Sequence, residues 1–258
     1  MVRLENLIKD IAKTELIYWQ DSYSKTCQGS VLRIESDKKR HLYLILDKTI
    51  FHPKSGGQPS DKGKIVGSGF EVDVKKAMLS NGVVVHWGKP KSGEPKVEEV
   101  TCEIDWNWRY LLMRRHTAGH LFDHCLASAT RKRVETTDSW LGDECYVGYK
   151  GEAPSNSALK EAEEKANRMI ETGAPVKVSA VSYDTLIEHV PDAPNIFRLP
   201  RSSTYRIVEI EGCKPIPCGG THTQNISEIG GLTVTSTQPS ELGFRVYYEV
   251  TGSSTISA

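Results

Sequence analysis

The spacing of hydrophobic residues changes abruptly at Asp105 and divides the 258-residue chain into two parts. Before Asp105, short runs rich in β-branched residues are separated by Gly, Pro, Asn, Asp and Ser. The alternation of Leu42, Leu44 and Leu46 is typical of a strand with one buried face. Closely spaced strands of this kind predict a small β-barrel or sandwich. The predicted strands are 30–36, 41–49, 62–67, 70–76, 83–87 and 97–104.

After Asp105 the hydrophobic period becomes helical. Residues 109–131 contain no proline and carry apolar residues at helical spacing. A second helix is predicted over 156–172, because Gly173 and Pro175 follow it as stop signals. Further predicted elements are strands at 176–182, 204–211, 231–237 and 243–250, and a short amphipathic helix at 4–13. We therefore predict two domains, 1–107 and 108–258, the second being α+β with an antiparallel sheet packed on helices.

The composition excludes some classes of protein. Thirty-three Lys and Arg balance 33 Asp and Glu, so the chain is not a uniformly basic nucleic-acid coat protein, although a local basic groove remains compatible with this balance. No window approaches the ~18 apolar residues of a membrane span, and the N-terminus lacks the features of a signal peptide. The six cysteines have no framework spacing, which favours reduced thiols in a cytoplasmic protein.

Two pairs of side chains, remote from each other in the sequence, form a candidate metal site. His116 and His120 lie four residues apart and project from nearly the same face of the predicted helix. Cys218 and His222 are separated by two glycines and a threonine, which allow a tight bend. Thiolate and imidazole ligands favour zinc over magnesium or calcium. The residues alone leave two other interpretations open: histidines placed by chance on a polar face, and a cysteine buried as a small hydrophobe.

Position 117 is Thr, so the glutamate base of HExxH metalloproteases is absent. The site must therefore be structural, or activate water for an easily broken bond such as an ester.

The motifs HTAGH at 116–120 and PCGGTH at 217–222, with SGGQPSD at 55–61 upstream, resemble those of alanyl-tRNA editing domains. Such domains occur in alanyl-tRNA synthetases, as the second additional domain, and in free-standing proteins of the AlaX type. The resemblance covers about residues 16–250. It implies a glycine-motif barrel followed by an α+β editing domain. It also implies zinc-dependent hydrolysis, in trans, of tRNA(Ala) mischarged with serine, with glycine as a second candidate.

The resemblance also assigns residues to roles. It implies one zinc ion per chain, held by His116, His120, Cys218 and His222. Thr117 is considered as a catalytic residue that bonds the substrate, or as a residue that only satisfies a helix carbonyl. The residues expected to bind substrate are Gly56, Gly57, Gln58, Gly219, Gly220 and Thr221. For residues 55–61, plain turn chemistry is the alternative.

The acceptor end of tRNA(Ala) is the expected partner, and neither DNA nor a membrane is expected. Three basic groups are either tRNA contacts or solvated surface: Arg109 with Arg114 and Arg115, residues 131–133, and residues 38–40. His52 is expected on the surface or at the barrel rim, with contact to the tRNA end as the alternative. His124 is expected in packing, and Asp123 in solvent or beside a ligand imidazole.

Two other functions stay open at this stage: a non-catalytic tRNA-binding module with a structural zinc, and a zinc hydrolase of another acyl ester.

Overall fold

Internal contacts divide the chain into two compact units. Of the described residues, the first unit contains those up to Ser55 together with Pro59–Arg109, and the second contains Gly56–Gln58 together with those from Tyr110 onward. The structure, a computed structural model, describes residues 4–199 and 204–252. We predicted that the whole glycine loop, residues 55–61, belongs to the first domain, whereas Gly56–Gln58 make their contacts in the second unit. The domain boundary between residues 107 and 108 stays a prediction.

The first unit is a closed antiparallel barrel. Six strands close it in the order β2-β3-β7-β6-β5-β8, and the short β1 and β4 pair in parallel beside it. Alternate residues such as Leu44, Leu46, Val72 and Val74 are fully buried in its core. Its elements are α1 (Leu4–Leu7), β1 (Glu15–Leu16), α2 (Ile17–Gln20), β2 (Thr26–Ser36), β3 (Leu42–Leu46), β4 (Lys48–Thr49), β5 (Gly63–Gly67), β6 (Phe70–Ser80), β7 (Val83–Ser92) and β8 (Glu99–Ile104).

The prediction of six strand regions before Asp105 is confirmed, but the helix predicted at 4–13 is too long. The helix α1 ends at Leu7. The guanidinium of Arg33 donates hydrogen bonds to the carbonyls of Leu7 and Lys9 at 2.6 and 3.1 Å, which satisfies the end of the helix. Ile8 is nevertheless buried, because it packs in the apolar cluster that contains Ile45.

The chain after Asp105 is α+β, as predicted. The strands form two antiparallel sheets, in the orders β14-β15-β10-β9 and β11-β12-β13. The elements are α3 (Trp106–Thr130), β9 (Thr136–Trp140), β10 (Tyr146–Lys150), α4 (Asn156–Thr172), β11 (Val176–Val181), α5 (Tyr183–His189), β12 (Tyr205–Ile210), β13 (Ile216–Pro217), β14 (Gly231–Ser240) and β15 (Gly243–Thr251), with 3-10 helices at Ile196–Arg198 and Ile226–Ile229. The sequence patterns did not predict β9, β10, β13 or α5.

The helix α4 packs one apolar face inward, with Leu159, Ala162, Ala166 and Ile170 buried. Asn167 anchors α4 to β14 by a 2.8 Å hydrogen bond to the carbonyl of Leu232. Within the described ranges, no helix has the length and apolar character needed to cross a membrane.

Candidate metal centre

The helix α3 supplies the first two side chains of the site. Its N-terminus is capped by Asp105, whose carboxylate accepts a 3.1 Å hydrogen bond from the backbone N–H of Trp108. Three turns further along, the rings of His116 and His120 lie one above the other, with centroids 5.0 Å apart. This is the one-turn spacing that the sequence predicted.

A loop that follows β13 supplies the other two side chains, Cys218 and His222. The guanidinium of Arg206 in β12 fixes this loop by donating to the carbonyls of Gly219 and Gly220 at 3.2 and 2.6 Å. The N–H of Gly220 in turn points at the Cys218 sulfur, 3.4 Å away. Gly220 is required here, because a Cβ atom at this position would overlap the ring of His116.

The four side chains converge. One ligand atom from each of His116, His120, Cys218 and His222 lies within 4.8 Å of all the others. The sulfur of Cys218 is 3.3 Å from Nε2 of His116 and 3.3 Å from Nε2 of His222. The four residues, which come from two motifs remote in sequence, therefore form a compact group that could hold one metal ion.

The chemistry of the cluster fits zinc. Burial lowers the pKa of His120 to about 4, so its ring is neutral at physiological pH and a nitrogen lone pair is available to a cation. Burial also raises the pKa of the Cys218 thiol, so a cation is needed to hold this sulfur as the thiolate. Among the described residues, Nδ1 of the buried His120 has no hydrogen-bond partner. One soft sulfur and three imidazoles match the donors that zinc prefers.

Neighbouring polar groups contact the outward nitrogens of two of these rings. Nδ1 of His116 lies 2.9 Å from the amide oxygen of Gln58. Nδ1 of His222 lies 3.3 Å from the hydroxyl of Thr117, which also accepts a 3.1 Å hydrogen bond from the N–H of Thr223. The Nε2 atoms of both rings therefore face the cluster.

Comparison with known proteins decides the family. Residues 4–108 match the family model described as tRNA synthetases class II (A). The chain is 33% identical, over 235 residues, to the alanyl-tRNA editing protein AlaX-M of Methanosarcina acetivorans, and the match covers 87% of this chain and 94% of the relative. The chain belongs to the AlaX family of alanyl-tRNA editing proteins. The resemblance inferred from HTAGH, PCGGTH and SGGQPSD is confirmed.

Longer relatives also contain the AlaX region. The alanyl-tRNA editing protein AlaX-L of Pyrococcus horikoshii is 32% identical over 230 residues, covering 85% of this chain but only 54% of the relative. An alanine–tRNA ligase of Saccharolobus islandicus is 34% identical over 239 residues, and the match covers 88% of this chain and 25% of the ligase. The chain thus spans about half of the AlaX-L relative and a quarter of the ligase.

The glycine loop of this AlaX protein contacts the strand β9. Gly56 accepts a 3.3 Å hydrogen bond from the hydroxyl of Ser139, and Gly57 accepts one of 3.0 Å from the N–H of Leu141. Gly57 has φ +83°, and a Cβ there would overlap Ser139. Gln58 and Thr221, both expected to bind substrate, are fully buried and contact each other. Substrate contact by these residues, and by Gly219 and Gly220, stays a prediction.

The last residue of the glycine motif has a structural role. Asp61 and Arg109 are both fully buried and form an ion pair. Arg109 also donates to the carbonyls of Ser22 and Ile50 at 2.9 and 2.6 Å, and Asp61 accepts a hydrogen bond from the N–H of His52. His52 itself is fully buried rather than at an accessible rim.

Two members of the first arginine group, Arg109 and Arg114, are buried and fit neither a tRNA contact nor a solvated face. Arg109 is buried in the ion pair with Asp61. Arg114 is buried and donates 2.6 Å hydrogen bonds to the carbonyls of Ile229 and Thr251. Arg115 donates to the carbonyls of Leu141 and Gly142. All three guanidiniums join backbone segments, and a tRNA contact by the half-buried Arg115 stays a prediction.

Three other residues near the ligands also have defined positions. Asp123 is buried and accepts a 2.7 Å hydrogen bond from the hydroxyl of Tyr149, so it is not the solvent-exposed residue expected. Burial raises its pKa to about 7. His124 lies outside the cluster of His116, His120, Cys218 and His222, as expected. Thr117 is fully buried beside His222, and a substrate role for it stays a prediction.

Sequence reasoning missed the residues that shape the loops around the cluster. Arg206 holds the Gly219–Gly220 backbone, and Arg198 donates a 2.6 Å hydrogen bond to the hydroxyl of Thr136. Neither arginine lies in a recognisable motif. Arg206 does stand out as a charged residue inside an apolar strand, and a buried arginine in such a place must find acceptors.

Proposed function

We propose that this chain is an aminoacyl-tRNA deacylase that removes serine from mischarged tRNA(Ala) in trans, with glycine as a second substrate. One observation carries the proposal: His116, His120, Cys218 and His222 converge within 4.8 Å in a chain that aligns with 94% of a protein named for alanyl-tRNA editing. The proposal includes a cytoplasmic location, which the six free cysteines support.

The bond that we propose is hydrolysed is the ester between the amino acid and the terminal ribose of the tRNA. A zinc ion held by His116, His120, Cys218 and His222 would supply Lewis-acid chemistry at the ester. The protein contributes the ligand set and its orientation, through Gln58 on His116 and Thr117 on His222. Since position 117 is Thr, no HExxH glutamate is present, which agrees with cleavage of an ester rather than an amide.

The proposed reaction corrects errors that arise because an amino-acid pocket cannot fully discriminate between similar amino acids. A pocket built for alanine cannot strongly reject serine, which adds only a hydroxyl, or glycine, which lacks one methyl group. A separate hydrolytic site corrects such errors after they are made. The residues proposed to surround the substrate are those of the two glycine loops, Gly56–Gln58 and Gly219–Thr221.

A deacylation assay on three substrates tests the proposal. Purified protein is incubated with Ser-tRNA(Ala), Gly-tRNA(Ala) and Ala-tRNA(Ala), and the remaining ester is measured over time. We expect rapid loss of serine, loss of glycine, and sparing of alanine. His120→Ala should be inactive, whereas the matched variant His124→Ala, one turn further along α3, should retain activity because His124 lies outside the cluster.

A non-catalytic tRNA-binding module with a structural zinc is the second candidate. The observation that favours it is the number of ligands, since four protein ligands complete a tetrahedral zinc site and leave no open position. Binding of tRNA(Ala) without turnover of any of the three substrates would support this candidate. Turnover of a different acyl ester alone would indicate another zinc hydrolase.

A further inference from the structure

Gln58 is the residue of the glycine motif that contacts the metal cluster. Its side chain is fully buried, and both ends of its amide have partners. The amide oxygen lies 2.9 Å from Nδ1 of His116 and accepts a 3.1 Å hydrogen bond from the N–H of Thr221. The amide nitrogen donates a 2.9 Å hydrogen bond to the hydroxyl of the same threonine. A residue far upstream thus joins both ligand segments, one through His116 and one through Thr221.

The backbone of Thr221 determines which way the amide faces. A backbone N–H can only donate, so the Gln58 atom that faces it must be the acceptor, which is Oε1. If the amide were reversed, its NH₂ group would point at another donor inside a buried site, and the N–H of Thr221 would lose its acceptor. The orientation of Gln58 is therefore set independently of His116.

The fixed amide in turn determines the protonation of His116. Since Oε1 can only accept, Nδ1 of a neutral His116 ring must carry the hydrogen. The lone pair then lies on Nε2, which is the nitrogen 3.3 Å from the sulfur of Cys218. The ring thus presents its basic nitrogen to the metal position before any metal binds.

We propose that Gln58 is a positioning residue for the metal centre, which holds His116 in the Nδ1–H tautomer and thereby raises the affinity of the site for zinc. The inference rests on the metal site of the proposed function. It assigns the glutamine of the glycine motif to the support of a ligand, in addition to the substrate contact that stays a prediction. Partners of this kind change metal affinity by roughly 10–100-fold.

Three variants test the proposal. Gln58→Met keeps the length of the side chain but removes the acceptor. Gln58→Glu keeps an acceptor for the Nδ1–H of His116. Gln28→Met is the matched control, because Gln28 also donates to a threonine hydroxyl, that of Thr101 at 3.0 Å, but does so on the exposed surface of the barrel.

Two measurements are made on each variant without tRNA. The dissociation constant for zinc is obtained by competition with a chromophoric chelator. The tautomer of His116 is read from ¹⁵N chemical shifts of the zinc-free protein at a pH where the ring is neutral. We expect zinc binding roughly 10–100-fold weaker in Gln58→Met, with a shift of His116 toward Nε2–H. Gln58→Glu should restore both properties, and Gln28→Met should change neither.

The opposite outcomes overturn the inference. Zinc affinity within threefold of the wild type in Gln58→Met, with the tautomer unchanged, would show that Gln58 does not position His116. Equal weakening in Gln58→Met and Gln58→Glu would assign the effect to packing. Deacylation by the wild-type protein is measured separately. If the wild type does not turn over substrate while the zinc and ¹⁵N results hold, the proposed function fails and the role of Gln58 stands.

Discussion

Single glycines in the two loops at the metal centre occupy positions that no larger residue fits. Gly57 combines φ +83° with a direct approach to Ser139, and Gly220 lies against the ring of His116. The sequence predicted that these glycines free the backbone, because glycine pairs beside Cys and His are visible in the motifs. The role of Gln58 was not predictable, since its amide acquires a function only through partners 58 and 163 positions away along the chain.

Substitutions at the two neighbouring glycines, Gly56 and Gly57, should reduce the free energy of unfolding by different amounts. Gly56→Ala meets no atom within 4 Å and should lose about 1 kcal/mol from its positive φ alone. Gly57→Ala adds overlap with Ser139 and should lose about 3 kcal/mol. Urea unfolding of both variants measures these losses, with Gly56→Ala as the control. Equal destabilisation would contradict the packing of Gly57 on β9.

His86 predicts a pH dependence of stability. It is fully buried in β7, with Nε2 2.8 Å from the Thr49 hydroxyl, and burial lowers its pKa from 6.5 to about 4. Between these values the unfolded chain binds the proton more readily, so stability falls as the pH falls. From pH 7 to pH 5 the loss from this group is about 2 kcal/mol.

Urea titrations at several pH values test this effect. The wild type should lose about 2 kcal/mol more than His86→Gln between pH 7 and pH 5, because the variant has no titrating group at this position. Comparing the two proteins cancels the titration of other groups. Parallel pH profiles would show that His86 is not held neutral by the barrel.

Among the elements, those with strong periodicity were predictable and those defined by tertiary contacts were not. The strand β6 and the helix α4 follow their hydrophobic periods closely. The strand β10 escaped prediction because Gly148 interrupts a five-residue run, and the reason for this glycine is the side chain of Asp138 in the paired strand β9. The helix α1 ends early because Arg33, which is distant in sequence, donates a hydrogen bond to the carbonyl of its last residue, Leu7.

The buried ion pair between Asp61 and Arg109 predicts a large and non-additive effect on stability. Asp61→Ala leaves the guanidinium of Arg109 buried without its carboxylate and should cost about 3–5 kcal/mol. Adding Arg109→Met should recover part of this loss, because the orphaned charge is removed. A double-mutant cycle by urea unfolding measures the coupling. Additive losses would mean that the pair contributes nothing as a pair.

At the scale of the whole molecule, the balanced charge conceals local differences. The net charge is zero, and the two arginines that precede His116, Arg114 and Arg115, donate hydrogen bonds to backbone carbonyls. The second basic group, residues 131–133, instead lines a cavity of about 430 Å³ together with Lys214. Residues 38–40 lie in the turn between β2 and β3. The sequence alone could not distinguish these groups, because it does not show whether a basic side chain is buried or exposed.

The salt dependence of tRNA binding should distinguish the two remaining groups. Neutralising residues 131–133 with glutamine should lower the slope of log affinity against log salt by about 2, since each lost phosphate contact removes roughly 0.7–0.9. The same change at residues 38–40, in an exposed turn, is the matched comparison and should lower the slope less. An equal slope in all three proteins would exclude both groups from the tRNA interface.

The dependence of deacylation on bound zinc is the most direct test of the proposed centre. Zinc is withdrawn stepwise from the wild-type protein with a chelator and then restored, and the initial rate on Ser-tRNA(Ala) is measured against zinc per chain. We predict a rate proportional to bound zinc up to one ion per chain, with recovery on restoration and no recovery in Cys218→Ala. An undiminished rate in protein stripped of zinc would contradict the assignment of the four ligands to catalysis.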